Sequence, residues 1–142
     1  MIQFFLEDIS FDLSLLSAVP SWIDEVILLE HRRLHVLNYV FCSDDYLLNI
    51  NRSYLQHDYY TDIITFDQRD YHEDALEGDI FISLDRVAEN SQDHQSVMFH
   101  ELLRVMIHGI LHLIGYDDKD EVTQAKMRTL EDQYLALYLD RA

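Results

Sequence analysis

The segment from Val97 to Ile114 constrains this chain more than any other. It is built almost wholly of Val, Met, Phe, Leu and Ile, and a helix that is apolar on most sides has to lie inside a core. Its polar residues therefore carry the information. At 100° per residue, Glu101, Arg104, His108 and His112 fall within an arc of about 80°, a polar stripe along an apolar rod, and such a stripe must face partners or a cavity. His108 and His112 stand at i and i+4, which puts two imidazoles on adjacent turns of one face, where both can reach one metal ion. Three residues on, Gly115 lets the helix end through a left-handed residue and turns the chain back toward the histidines. Asp117 and Asp118 arrive there. The pattern His-x3-His-x5-Asp supplies two neutral nitrogens and one carboxylate. Three protein ligands leave a fourth position open to water, as in catalytic zinc sites, where the bound water ionises near neutral pH.

The competing reading is a pair of core histidines hydrogen-bonded to Glu101 and backbone. It has to accommodate imidazoles in apolar surroundings, where an unpaired ring is costly. The motif is also similar to the zinc peptidase pattern HExxHxxGxxH or its aspartate-ended variant, but Gly109 occupies the place of the general-base glutamate, so peptidase chemistry lacks its usual proton acceptor. A glycine inside a helix costs roughly 1 kcal/mol relative to alanine. Gly109 therefore predicts that something approaches the helix closely at that point.

The rest of the chain sets the frame. Its 142 residues suit a single domain spanning 1–142. Ten basic against 27 acidic side chains give a net charge of −17, which repels nucleic acid and anionic membrane at long range and disfavours a non-specific DNA or RNA coat protein. A local basic patch or a bound cation can still hold a phosphate. The single cysteine, Cys42, excludes an internal disulfide and any CxxC motif and predicts a reducing, cytoplasmic setting. Met1 to Asp8 has no basic leader region, and no apolar run reaches the ~20 residues that cross a bilayer, so neither secretion nor a membrane partner is expected.

Three glycines and one proline leave no linker. Strands are predicted at Ile2 to Leu6, Leu34 to Phe41, Thr61 to Phe66 and Gly78 to Ser83. Helices are predicted from Ser21 as N-cap, from Ser43 to near Leu55 with Tyr46, Leu47, Ile50 and Tyr54 at helical spacing, and over Leu84 to Ser91, Ser96 to Ile114 and Val122 to Leu139. The fold class is α+β: about four strands packed with about five helices, the metal site lying at the end of a central buried helix. Met98, Met106 and Met127 are assigned to the core. His31, His35, His57, His72, His94 and His100 share no ligand spacing and are read as surface or satisfied residues. The acidic loop from Asp67 to Glu77 is a candidate gate or contact.

His108-Gly109-Ile110-Leu111-His112-Leu113-Ile114-Gly115-Tyr116-Asp117-Asp118 resembles the signature HGxLHLxGYDH of the YbeY family of bacterial single-strand endoribonucleases. A second block, Asn51-x-x-Tyr54-x-x-x-Asp58-x-x-Thr61-Asp62-Ile63-Ile64-Thr65-Phe66, is similar to another family motif, as is the strand Gly78-Asp79-Ile80 with Ile82-Ser83. Glu101, seven residues before His108, also matches. The resemblance implies one YbeY-like metal-dependent hydrolase domain with a helix-borne zinc ion. It implies hydrolytic cleavage of RNA, maturation of the small-subunit ribosomal RNA 3′ end, ribosome quality control, and ribosomal RNA and the small ribosomal subunit with its proteins as partners, rather than DNA. His108 and His112 are carried over as metal ligands. The family's third ligand is a histidine, where this chain has Asp118, a carboxylate that makes the metal a weaker Lewis acid and shifts preference toward harder ions; Asp117 stays open as the alternative. The family arginine after the tyrosine of the second block is Leu55 here, and Arg52, about one turn earlier, is the candidate phosphate contact in its place. Asp62 and Thr65 are candidate cavity residues. No general base stands out beyond the water itself or Asp117. Two other readings compete: a ribosome-associated assembly factor with a structural metal, and a metallopeptidase.

Overall fold

In a computed structural model of the chain, which describes residues 1–69 and 74–141, four strands form one sheet and five helices surround it. His72 and the middle of the acidic segment 67–77 lie outside the described residues. In chain order the elements are β1 (Ile2–Leu6), a 3-10 turn (Leu13–Leu16), α1 (Val19–Leu29), β2 (Leu34–Cys42), α2 (Asp44–Leu55), β3 (Ile63–Asp67), β4 (Leu76–Ser83), α3 (Leu84–Asp93), α4 (Met98–Ile114) and α5 (Glu121–Leu139). The sheet order is β1-β2-β4-β3, with β1, β2 and β4 parallel and β3 antiparallel to β4. Parallel neighbours need a helical crossover, and α1 supplies it between β1 and β2.

Helix α4 lies on this sheet, and Gly109 explains how. A Cβ at Gly109 would stand 2.9 Å from Ile63 Cδ1 and 3.0 Å from Ile80 Cδ1, so the bare backbone lets the helix seat against β3 and β4. Met106, Ile107, Ile110 and Leu111 are completely buried in the same core as Ile80, Trp22 and Tyr39. Two polar atoms inside this core find backbone acceptors: Tyr39 Oη donates to Met106 O at 2.9 Å and Trp22 Nε1 to Tyr134 O at 2.7 Å. Such pairing avoids the desolvation penalty of a buried donor.

Several expected boundaries shift. Helix α1 starts at Val19 rather than after Ser21, because Pro20 sits in its first turn, where a fixed φ and a missing N–H are no loss. The Ser21 hydroxyl donates instead to Ala18 O. Strand β4 begins at Leu76, before Gly78, and β3 begins at Ile63, after Thr61 and Asp62. Helix α4 begins at Met98, with Val97 as its N-cap residue, and Met98 is exposed at this open end rather than in the core. Met106 and Met127 are buried as expected. In α2 the buried residues are Leu47, Leu48 and Asn51, while Tyr54 is exposed. No single helix among the described residues is long and apolar enough to cross a membrane.

Candidate metal centre

The last turn of α4 and the segment after it create the site. Gly115 takes φ of +123°, its N–H donates to Leu111 O and His112 O, and Tyr116 N–H donates to Leu111 O at 3.0 Å. This left-handed closure satisfies the terminal carbonyls and reverses the chain. Tyr116 then anchors by donating from its hydroxyl to Glu30 at 2.6 Å. The reversal carries Asp118 back over the helix face. One Asp118 oxygen lies 3.4 Å from His108 Nε2 and 3.5 Å from His112 Nε2, and the two Nε2 atoms are 2.9 Å apart. Asp117, by contrast, is exposed, and its carboxylate accepts the Asp118 backbone N–H.

His108, His112 and Asp118 form a group that could hold a metal ion, with one ligand atom from each within 4.8 Å of the others. Tetrahedral zinc with bonds of about 2.0–2.1 Å sets its donors roughly 3.3 Å apart. The observed separations bracket that value, and all three residues are half-buried. The donor set therefore fits a divalent cation of the zinc type.

Helix α5 fixes the orientation of the first histidine. His108 Nδ1 is 2.6 Å from Glu131 Oε2, and Arg104 Nη1 donates to the other Glu131 oxygen at 3.2 Å while its Nη2 donates to Asp132 at 2.6 Å. Glu131 is buried. With Nδ1–H donating to a carboxylate, the neutral ring presents the Nε2 lone pair to Asp118 and His112, the tautomer that metal ligation requires. Burial pushes the His108 pKa down, but the Glu131 hydrogen bond and charge, with Asp118 and Asp62, outweigh it and the net shift is upward. The imidazole is thus satisfied by Glu131 from α5, not by Glu101.

Beside the histidines opens a cavity of about 630 Å³, whose lining includes Asp62, Asn90, His94, Glu101, Arg104 and Arg128 along with His108, Asp118 and Glu131. Glu101 is buried at its far end, accepts from Ser96 Oγ at 3.3 Å and lies 3.5 Å from His94. His94, 65% exposed, is a surface residue as expected, and it also lines the cavity. Burial raises the Asp62 carboxyl, partly countered by the charge of His108. Arg52 is outside this lining and is tied to Asp58. Leu55 is exposed, and Thr65 is not among the cavity residues. Glu131 is the residue that sequence reasoning missed. It is buried on α5, four residues after the core residue Met127, and no local sequence pattern signals its contact with His108.

A single α+β unit whose central helix brings two histidines and an aspartate to one point defines the class. The description Endoribonuclease YbeY matches residues 6–138, and the chain belongs to that family. It is 47% identical over 136 residues to the endoribonuclease YbeY of Cytophaga hutchinsonii, covering 96% of this chain and 94% of the relative. It is 44% identical over 138 residues to that of Flavobacterium psychrophilum, covering 97% and 96%. A solution structure of a Thermotoga maritima protein superposes with a TM-score of 0.68 at 26% identity, covering 95% of this chain and 87% of the other.

Proposed function

We propose that this chain is a metal-dependent, single-strand-specific endoribonuclease, with a zinc ion held by His108, His112 and Asp118. The observation that carries the reading is the convergence of the two Nε2 atoms and the Asp118 carboxylate beside a polar cavity, in a member of the endoribonuclease YbeY family. A zinc ion bound there supplies Lewis acidity and an ionisable water to a phosphodiester. The chain's own residues do the rest. Glu131 holds the His108 ring in place, and Arg104 holds the Glu131 carboxylate toward it. Arg128, exposed on α5 at the cavity wall, offers a cation to the substrate's phosphate. Asp62 lines the same cavity within electrostatic range of His108, and burial raises its carboxyl.

The substrate in the cell is ribosomal RNA in the small subunit, at its 3′ end, in cytoplasmic maturation and quality control of ribosomes, as the family resemblance implies. Position 109 speaks against peptidase chemistry: it faces Ile63 and Ile80, so a glutamate there would strike the sheet.

The test is cleavage of a labelled single-stranded RNA by the wild type and by His112→Ala purified in parallel, each with and without a chelator. Cleavage by the untreated wild type alone is the expected result. Equal cleavage by both proteins, or none by either, would favour a ribosome-associated factor with a structural metal.

A further inference from the structure

From the last turn of α2 to the start of β3 the chain exposes three tyrosine rings that the metal centre does not use. Tyr54, Tyr59 and Tyr60 are 72%, 56% and 49% exposed, and they fall within seven residues. Large apolar rings left in water cost free energy unless something covers them. Tyr59 and Tyr60 are also held firmly. Gln56 takes a left-handed φ of 57°, which closes α2, and His57 N–H donates to Asn51 O at 3.1 Å. The fully buried Asn51 donates from Nδ2 to Tyr59 O at 2.9 Å. His57 stacks on the Tyr59 ring at 5.2 Å with an interplanar angle of 19°, and Tyr60 Oη donates to Asp45 at 3.1 Å. The loop is therefore a preorganised platform, and a partner that lands on it need not order it first.

Two routes join this platform to the cavity. Along the chain, Tyr60 is two residues from Asp62, which lines the cavity. Across space, the Arg86 guanidinium lies over the Tyr60 ring at 5.4 Å, and one turn further along α3 Asn90 lines the same cavity. A strand whose reacting phosphate sits at the histidines would thus carry its neighbouring nucleotides over these rings.

The charges around the platform decide which part of a nucleic acid it can hold. Arg52 is paired with Asp58, Arg86 with Asp44 and Glu89, and Arg104 with Glu131 and Asp132. In a chain of net charge −17, these paired cations give phosphates little purchase around the platform, and Arg128, which lines the cavity from α5, is left to meet the reacting phosphate. Bases have no such difficulty, because their faces are uncharged and stack on any aromatic ring. We propose that Tyr59 and Tyr60 form a base-stacking platform that grips single-stranded RNA next to the catalytic cavity, so that this enzyme holds its substrate mainly through unpaired bases rather than through phosphates. The proposal rests on the ribonuclease reading above and adds its substrate grip: duplex RNA, whose bases are already stacked on one another, cannot use it.

The test measures affinity of the zinc-loaded protein for a short fluorescent 2′-O-methyl oligoribonucleotide by anisotropy over a range of salt, beside cleavage of the unmodified RNA. Three proteins are compared: wild type, the double variant Tyr59→Leu/Tyr60→Leu, which keeps apolar bulk without a stacking face, and Tyr59→Phe/Tyr60→Phe, which keeps the face without the hydroxyl. The leucine pair should bind about tenfold or more weaker, and the phenylalanine pair about as well as wild type. The dependence of log affinity on log salt should be shallow, with a magnitude of about 1–2, and the same in all three, since it counts phosphate contacts. An abasic strand of equal length should bind the wild type no better than the full strand binds the leucine pair. Unchanged affinity in the leucine pair, equal binding of the abasic strand, or a phenylalanine pair as weak as the leucine pair would overturn the platform. If the wild type cleaves RNA while the leucine pair binds normally, only the platform fails; if the wild type neither binds nor cleaves, the ribonuclease reading falls with it.

Discussion

The two faces of α4 are made by different physics. One face meets the sheet through Met106, Ile110 and the bare backbone of Gly109. Apolar packing and one hydrogen bond, from Tyr39 Oη to Met106 O, hold it there, and Met106 and Ile110 are excluded from water. The opposite face meets α5 and the returning segment: Arg104 and His108 are held by charge-assisted hydrogen bonds to Glu131 and Asp132, and His112 stands 3.5 Å from the Asp118 carboxylate. The first face determines whether the protein folds, and the second determines what the folded protein can do. Substitutions on the two faces should therefore separate stability from activity.

The largest separation is expected at His112. A metal centre supplies several kcal/mol of charge stabilisation to a transition state, so His112→Ala should lower RNA cleavage by about a thousandfold while the urea midpoint moves little. A matching loss of stability would show that the polar face is structural. On the other face, Met106→Ala removes a side chain that is completely buried and should cost about 2–5 kcal/mol in urea unfolding. Cleavage per folded molecule should stay the same. If it falls sharply at a concentration where the variant is folded, the two faces are coupled through the helix.

A smaller effect sharpens the role of α5. Glu131→Ala removes the acceptor of His108 Nδ1 and should weaken zinc affinity by about 10–100-fold, read by competition with a chromophoric chelator. Arg104 retains Asp132, which limits the structural damage. The smallest effect lies in the anchor that holds the returning segment. Tyr116 and Tyr134 both donate to Glu30. Burial first, and then the Glu30 hydrogen bond and charge, push the Tyr134 phenol well above its ordinary value, and Glu30 raises that of Tyr116. A raised phenol contributes stability that is complete below the unfolded-state value of about 10 and is lost as pH rises through the folded-state value. Thermal melts should thus show a loss of stability beginning above about pH 10, smaller in Glu30→Gln. An identical alkaline profile in that variant would remove Glu30 as the cause. In the same range the Cys42 thiol, pushed up to about 12 by burial and then by nearby Asp8 and Glu7, should stay unreactive toward alkylating reagents in the native protein.

The sequence reveals the apolar face of α4 and the His108–His112 spacing because both are local: periodicity along one helix and a fixed offset of four residues. Asp118 is legible for the same reason, being tied to the helix by the Gly115 turn. Glu131 is not, since its contact with His108 spans 23 residues and depends on how α5 packs, which no local pattern encodes. The start of α1 was obscured by Ser21, a good cap in isolation, where Pro20 moves the helix start three residues earlier. Tyr54 fits the helical spacing of an apolar face yet is 72% exposed, because it sits at the last turn of α2 and meets the sheet only edge-on at the Phe66 ring. Local order was readable, and inter-element pairing was not.

The central claim, that the polar face of α4 is a metal centre, is tested most directly by counting bound zinc. Equilibrium dialysis followed by elemental analysis should give one zinc per wild-type chain and none retained by a folded His108→Ala/His112→Ala variant. A wild type that takes up no zinc, or a double variant that holds it with unchanged affinity, would contradict the account.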